Sequence, residues 1–210
     1  MNNMNNKCVL IGEIVSEPTY SHQLRNNQFY KFNLSTNRLN NTKDTIIIVS
    51  NKLVDLSSAC VHDKIKVDGS FRSRRKIENG RNRLMLSVLA DKIEFLTPEQ
   101  YEISINQIFL DGYVCKPPVY RKTPRGREIT NLLIAINRPY GKSDYIPCIC
   151  WGNNARLASV LPVGSKIKVW GRIQSREYIK RQEALLDSKR IAYEVSIEKM
   201  EVENVGACNH

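Results

Sequence analysis

Residues 64–74 read KIKVDGSFRSR and residues 166–176 read KIKVWGRIQSR, keeping Lys, Ile, Lys, Val, Gly, Ser and Arg in the same places. An internal repeat of this length means that one supersecondary unit is written twice. Other markers keep step with it: Gly12 with Gly112, Asn37-Arg38 with Asn137-Arg138, and Asp44 with Asp144, each 100 residues apart. The KIKV blocks lie 102 apart, so two residues are inserted in between. A chain of 210 residues therefore divides into two small domains rather than one large one. Their expected bounds are 1–98 and 104–204, with a short tail at 205–210. The junction around Pro98 and Glu99-Gln100 has no Gly/Ser tract, so the domains are expected to pack with limited freedom.

Each half alternates apolar and polar residues in short runs broken by turn-formers, the period of a half-buried strand. Strands are expected at 7–13, 29–37, 44–50, 64–74 and 83–95, then at 107–114, 128–137, 144–151, 166–178 and about 183–202. In the first KIKV block, Ile65, Val67, Gly69 and Phe71 share one face, which assigns Phe71 to the core. Between the third and fourth strands each half has one helical candidate, 52–59 and 154–161, with Asn51 and Asn153 placed as N-caps. Asn79-Gly80 suits a hairpin turn between strands four and five. Gly69 and Gly171 suit a sharp bend in a long strand. Five strands with a short helix between the third and fourth is the pattern of an OB-fold, a Greek-key barrel. The expected fold is all-β, with two tandem OB-folds.

The formal net charge is +11, and the second half carries the larger share. A polyanion is the partner such a balance suggests. The apolar runs are too short to cross a bilayer, and MNNMNNK offers no apolar signal core, so a cytoplasmic protein is expected. The cysteines show no C-x-x-C spacing and the three histidines stand apart, so neither a metal nor another cofactor is expected. Cys148 and Cys150 should point together into the core as small apolar groups.

Cations interleaved with rings are what a single-stranded polyanion needs, because cations neutralise phosphates while flat rings stack on exposed bases. The outward face of the fourth strand of the second half carries Lys166, Lys168, Trp170, Arg172, Arg176 and Tyr178. A solvent-facing Trp170 serves a subunit interface equally well. The loop after the first strand of that half holds Arg121, Lys122, Arg125 and Arg127, and the loop after its fourth strand adds Lys180 and Arg181. The first half has its own cluster of Arg72, Arg74, Arg75, Lys76, Arg81 and Arg83. These are the loops with which an OB-fold holds nucleic acid.

Three motifs then carry a resemblance. G-x-x-x-x-x-P occurs at Gly12–Pro18 and Gly112–Pro118, a strand ends in Asn-Arg (Arg38 and Arg138), and V-x-G-x-x-x-S-R occurs in both KIKV blocks. Together they resemble the bacterial single-stranded DNA-binding protein (SSB) family, with a likeness to primosomal PriB proteins, once per half. The resemblance implies a sequence-nonspecific single-strand binder in the bacterial cytoplasm, acting in replication, recombination or repair. It also implies four base-stacking places per domain. In the second half these fall on Tyr140, Tyr145, Trp151 and Tyr178; in the first they fall on Asn40, Thr45, Asn51 and Lys76. The second domain is thus expected to be the stacking platform, with Arg138 beside it. The family assembles four OB domains, so a homodimer is implied. Its acidic C-terminal tip is not found in Asn-Val-Gly-Ala-Cys-Asn-His, which favours an accessory, mobile-element or primosome-like role. Partners implied are single-stranded DNA or RNA and replication or primosome proteins.

No H-E-x-x-H, P-loop or G-x-S-x-G motif is present, so no enzyme is expected. The rival reading is a PriB-like interaction module that touches nucleic acid weakly.

Overall fold

In the computed structural model, which describes residues 5–38, 40, 42–51, 59–78, 80–180 and 188–203, the alternating segments of each half close into a barrel. The first half comprises β1 (Asn6–Ile14), β2 (Thr19–Leu24), β3 (Asn27–Asn37), β4 (Lys43–Asn51), β5 (Lys64–Glu78) and β6 (Arg81–Phe95). A 3-10 turn at Pro98–Gln100 leads to the second half. There follow β7 (Ile105–Val114), β8 (Val119–Lys122), β9 (Glu128–Arg138), β10 (Lys142–Trp151), α1 (Gly152–Ser159), β11 (Lys166–Lys180) and β12 (Ser188–Val202).

β1 pairs with both β3 and β5, and β4 runs parallel to β6, so the ring β1-β3-β4-β6-β5 has no free edge. β7-β9-β10-β12-β11 repeats it, again with one parallel pair, β10 and β12. These are two tandem OB-folds. They share one hydrogen-bonded sheet, because β1 lies antiparallel to β7 from Asn6↔Leu110 to Ile11↔Ile105. Inward residues fill each barrel: Leu10, Leu34, Ile46, Ile48, Val67, Phe71 and Val88 in the first, and Leu110, Ile134, Ile136, Ile146, Val169, Ile173 and Val195 in the second. Cys148 and Cys150 are both buried, and burial pushes both thiols up.

The repeat markers are the places where backbones touch. Gly69 and Gly171 sit at bulges in β5 and β11, where a Cβ would stand 2.3 Å from the Leu89 carbonyl oxygen and 2.1 Å from that of Ser196. Gly12 and Gly112 allow β1 and β7 to cross β3 and β9 equally closely. Past each bulge an asparagine takes over the ladder. The Asn6 side chain donates to the Phe71 carbonyl at 2.7 Å and accepts from its N–H at 2.9 Å, and Asn106 does the same to Ile173 at the same distances.

Three expectations change. β2 and β8 fall in stretches read as loops, because as ribbons beyond the barrel they bury neither face well and show no alternation. α1 begins at Gly152, with Trp151 and not Asn153 at the cap; Gly152 at φ 55 turns the chain directly from strand to helix, leaving Asn153 inside the first turn. β5 and β11 run on to Glu78 and Lys180, longer than expected, as arms that leave the barrels. The helix expected at 52–59 falls, but for Ala59, outside the described residues, as does Asn79.

Each arm crosses the other half. Asp144, fully buried, accepts the Ser73 N–H at 2.7 Å and Arg72 Nη1 at 3.0 Å, while Arg138 Nε lies 3.1 Å away. Asp44, also fully buried, accepts the Ser175 N–H at 2.7 Å, Arg172 Nη1 at 3.1 Å and Arg38 Nε at 2.7 Å. The serine hydroxyls return the contact, accepting the N–H of Tyr145 at 2.7 Å and of Thr45 at 3.0 Å.

Two outcomes follow for stability in urea. Gly171→Ala meets backbone and not a movable side chain, so it should lower unfolding free energy by about 1–3 kcal/mol. Asp44→Ala or Asp144→Ala strands an arginine pair and a backbone N–H, and each should lower it by about 3 kcal/mol. That figure is the low end for a broken buried pair, because the arginine heads keep some water.

Candidate nucleic-acid interface

The expected stacking residues lie on and beside β10. Tyr140 is 98% exposed in the link from β9 to β10, and it holds φ 64. A left-handed backbone is disfavoured for a residue with a Cβ, by roughly 1–2 kcal/mol. Such strain is retained where the surrounding chain over-determines it, and here it leaves a ring standing in solvent. Tyr145 is half-buried on β10, and Trp151 ends that strand 39% exposed. Tyr178 is exposed near the end of the β11 arm. On the first half, Thr45 and Asn51 occupy the matching places on β4, and Asn40 precedes it.

The basic residues separate into two groups. Arg121, Lys122, Arg125 and Arg127 are exposed on the β8–β9 ribbon, and among the described residues none forms an ion pair, although Lys122 lies opposite Glu128 and helps to hold its carboxyl down. The nearby acid, Glu128, is already taken by the Tyr120 hydroxyl at 2.7 Å and Arg156 Nε at 2.6 Å, which together hold its carboxyl below the usual range. Arg74, Arg75 and Lys76 are exposed along the β5 arm, as is Arg176 on β11. Arg72, Arg138 and Arg172 belong to the other group. Expected as phosphate contacts, they instead reach inward to the two buried aspartates. The spacing that marked them as basic is equally the spacing of an internal lock. Lys166 and Lys168 are likewise engaged, by Glu203, whose carboxyl they hold down at about 2. Arg83 is half-buried. The side chains of Arg81 and Lys180, and all of Arg181, lie outside the described residues.

Trp170 does not join the other rings. It packs on Phe109 of β7 at 5.1 Å between centroids, with the Lys199 ammonium 4.6 Å above it. Register places all three side by side on β7, β11 and β12.

Sequence reading did not bring together a second set of rings. On the β2–β3 ribbon, His22 and Phe29 stack at 4.6 Å with 2° between planes, and Tyr20 meets Tyr30 edge-on at 6.3 Å. They lie on strand pairs Phe29↔His22 and Tyr20↔Tyr30, so locating β2 would have brought them together. Reading also missed that the β5 arm crosses β10. The Arg75 guanidinium lies 5.9 Å from the Tyr145 ring centre, a contact between halves that no local pattern announces. Among the described residues no three metal-ligating side chains cluster, and no helix is long and apolar enough to cross a membrane.

The model of the single-strand binding protein family matches residues 105–203, the half that carries Tyr140, Tyr145, Trp151 and Tyr178. A single-stranded DNA-binding protein of Halalkalibacterium halodurans is 36% identical over 81 residues, which is 35% of this chain and 48% of that protein. Single-stranded DNA-binding protein A of Bacillus subtilis is 33% identical over 85 residues, 37% of this chain and 49% of that protein. The chain thus spans about half the length of the curated relatives it matches. Among solved structures, the wild-type single-stranded DNA binding protein from Thermus aquaticus superposes with a TM-score of 0.77 at 19% identity, covering 98% of this chain and 96% of that one. At that identity the likeness is one of fold.

Proposed function

We propose that this chain, similar to bacterial single-stranded DNA-binding proteins in the sequence of its second half and in fold along its whole length, binds single-stranded DNA without sequence preference. Its place would be DNA replication, recombination or repair. The observation that carries the reading is the series Tyr140, Tyr145 and Trp151, rings presented just before and along β10, with Arg121, Lys122, Arg125 and Arg127 on the ribbon beside its Trp151 end. Every base has a flat face, so rings of this kind tolerate any sequence, and the cations neutralise the phosphates between bases. Tyr178 and Arg176 would extend the surface along the β11 arm. Arg72, Arg138 and Arg172 are left out, because releasing them to a phosphate would strand a buried carboxylate.

The two halves divide the work on this reading. The second barrel stacks bases, while the first, with Asn40, Thr45 and Asn51 in the matching places, supplies charge and scaffold. The sheet face around Phe109, Trp170 and Lys199 is where a second copy would pack, giving four barrels in a homodimer. Replication or primosome proteins are further partners, and the cytoplasm is the expected compartment.

Titration of oligo-dT is the test. Tyr140→Ala and Trp151→Ala should each weaken binding by about 1–3 kcal/mol, and Thr45→Ala should change it little. Intrinsic tryptophan fluorescence should quench on binding, and Trp151→Phe should remove most of the quench. Affinity should fall with salt on a log–log slope of roughly −0.7 for each phosphate held. Weak binding with no quench would leave the interaction-module reading standing.

A further inference from the structure

The two places where an arm crosses the opposite barrel are built alike and finished differently. At each, a serine of the arm gives its N–H to a buried aspartate and accepts an N–H from the residue after that aspartate. Ser73 and Ser175 are equivalent in the repeat, as are Asp144 and Asp44. Two residues beyond each serine the equivalence ends. The β5 arm carries Arg75 where the β11 arm carries Glu177, and the strand beneath carries Tyr145 where the other carries Thr45. One crossing therefore sets a cation 5.9 Å from a ring, and the matching positions of the other hold an acid and a short hydroxyl. Arg75 is exposed, Tyr145 half-buried, and Arg74 and Lys76 continue the exposed basic run beside them.

Resting on the proposed single-strand reading, we infer that the crossing of β5 over β10 is a composite subsite for one nucleotide of a single strand. Tyr145 of the second half stacks the base, and Arg75 of the first half holds the adjoining phosphate. The first barrel is then part of the second barrel's binding surface and not only a scaffold. The crossing of β11 over β4 offers no such pair: Lys43 and Arg176 line it too, but Glu177 stands where Arg75 does and Thr45 offers no ring. The strand consequently meets different chemistry at the two crossings of a scaffold that is nearly two-fold symmetric.

The geometry also says how the subsite stays assembled. Tyr145 directly follows Asp144, and Arg75 lies two residues past Ser73, so the bonds from Asp144 to Ser73 and from Tyr145 to Ser73 set the ring and the guanidinium in register. Both arms of the subsite are therefore tied to the same buried carboxylate. Neither has to be ordered by the ligand, which removes part of the entropic penalty of binding.

A double-mutant cycle on the full chain tests this, with Arg75→Gln, Tyr145→Ala and the double variant titrated with fluorescein-labelled oligo-dT. Arg75→Gln should weaken binding about tenfold and lower the salt slope by about 0.7, one phosphate contact. Its unfolding midpoint should not move, since Arg75 is exposed. The double variant should bind several-fold better than the product of the two single losses predicts, because each partner supports the other. Glu177→Gln should leave binding unchanged or slightly tighter. Full affinity in Arg75→Gln, or strictly multiplicative losses, would overturn the composite subsite, while a loss in Trp151→Ala in the same series would leave single-strand binding itself intact. No loss in Trp151→Ala either would instead bring down the reading on which the subsite rests.

Discussion

Two carboxylates buried between the halves govern this molecule. A carboxylate taken out of water is strongly disfavoured unless its lone pairs are met, and here each is met from both halves at once. Asp144 is held by Arg138 of its own barrel and by Arg72 and the Ser73 N–H of the other; Asp44 is held by Arg38, Arg172 and the Ser175 N–H. Neither set can be completed within one barrel. The β1–β7 pairing adds a continuous backbone ladder between them, but a ladder alone would let the outer ends of the barrels splay. The aspartates pin the arms at a distance from that ladder, so the two barrels are held along two lines and not one.

The repeat is explained by the same contacts. Arg38, Asp44, Ser73 and their counterparts recur in both halves because a pseudo-two-fold interface uses each of them twice. Gly12, Gly69, Gly112 and Gly171 persist because each faces a carbonyl oxygen within the reach of a Cβ. What the halves share is therefore the machinery of closure and docking. What they do not share is the outward chemistry: rings at 140, 145 and 151 against Asn40, Thr45 and Asn51.

The barrel was legible because alternation reports burial directly, and ten strands with inward Ile, Leu, Val and Phe leave few other ways to fold. The ribbons β2 and β8 were illegible for the converse reason, since they bury too little on either face to alternate. Asn153 misled because a capping residue type does not reveal that the preceding glycine has already turned the chain. For the site, ring positions were readable from the repeat, but the role of a cation was not. Arg72 and Arg75 stand three residues apart in one basic run, yet one faces a buried carboxylate of the opposite barrel and the other a ring. That distinction depends on which strand lies underneath the arm, a long-range fact with no local signature. Lys166 and Lys168 were hidden in the same manner by Glu203, which pairs with both from the far end of the chain.

Duplication within one chain makes possible something that two identical subunits cannot. In a symmetric dimer both crossings would carry the same residues, so a cation added at one appears at the other, and any strand would meet equivalent subsites. Joining the copies frees the crossings to diverge while the aspartate–serine bonds, needed at both, stay fixed. Arg75 with Tyr145 and Glu177 with Thr45 are the two results of that freedom. An acid at one crossing also limits repulsion among the cations gathered nearby, which matters in a chain of net charge +11. The asymmetry of the surface is thus affordable because the aspartate–serine bonds recur at both crossings while the side chains beyond them differ.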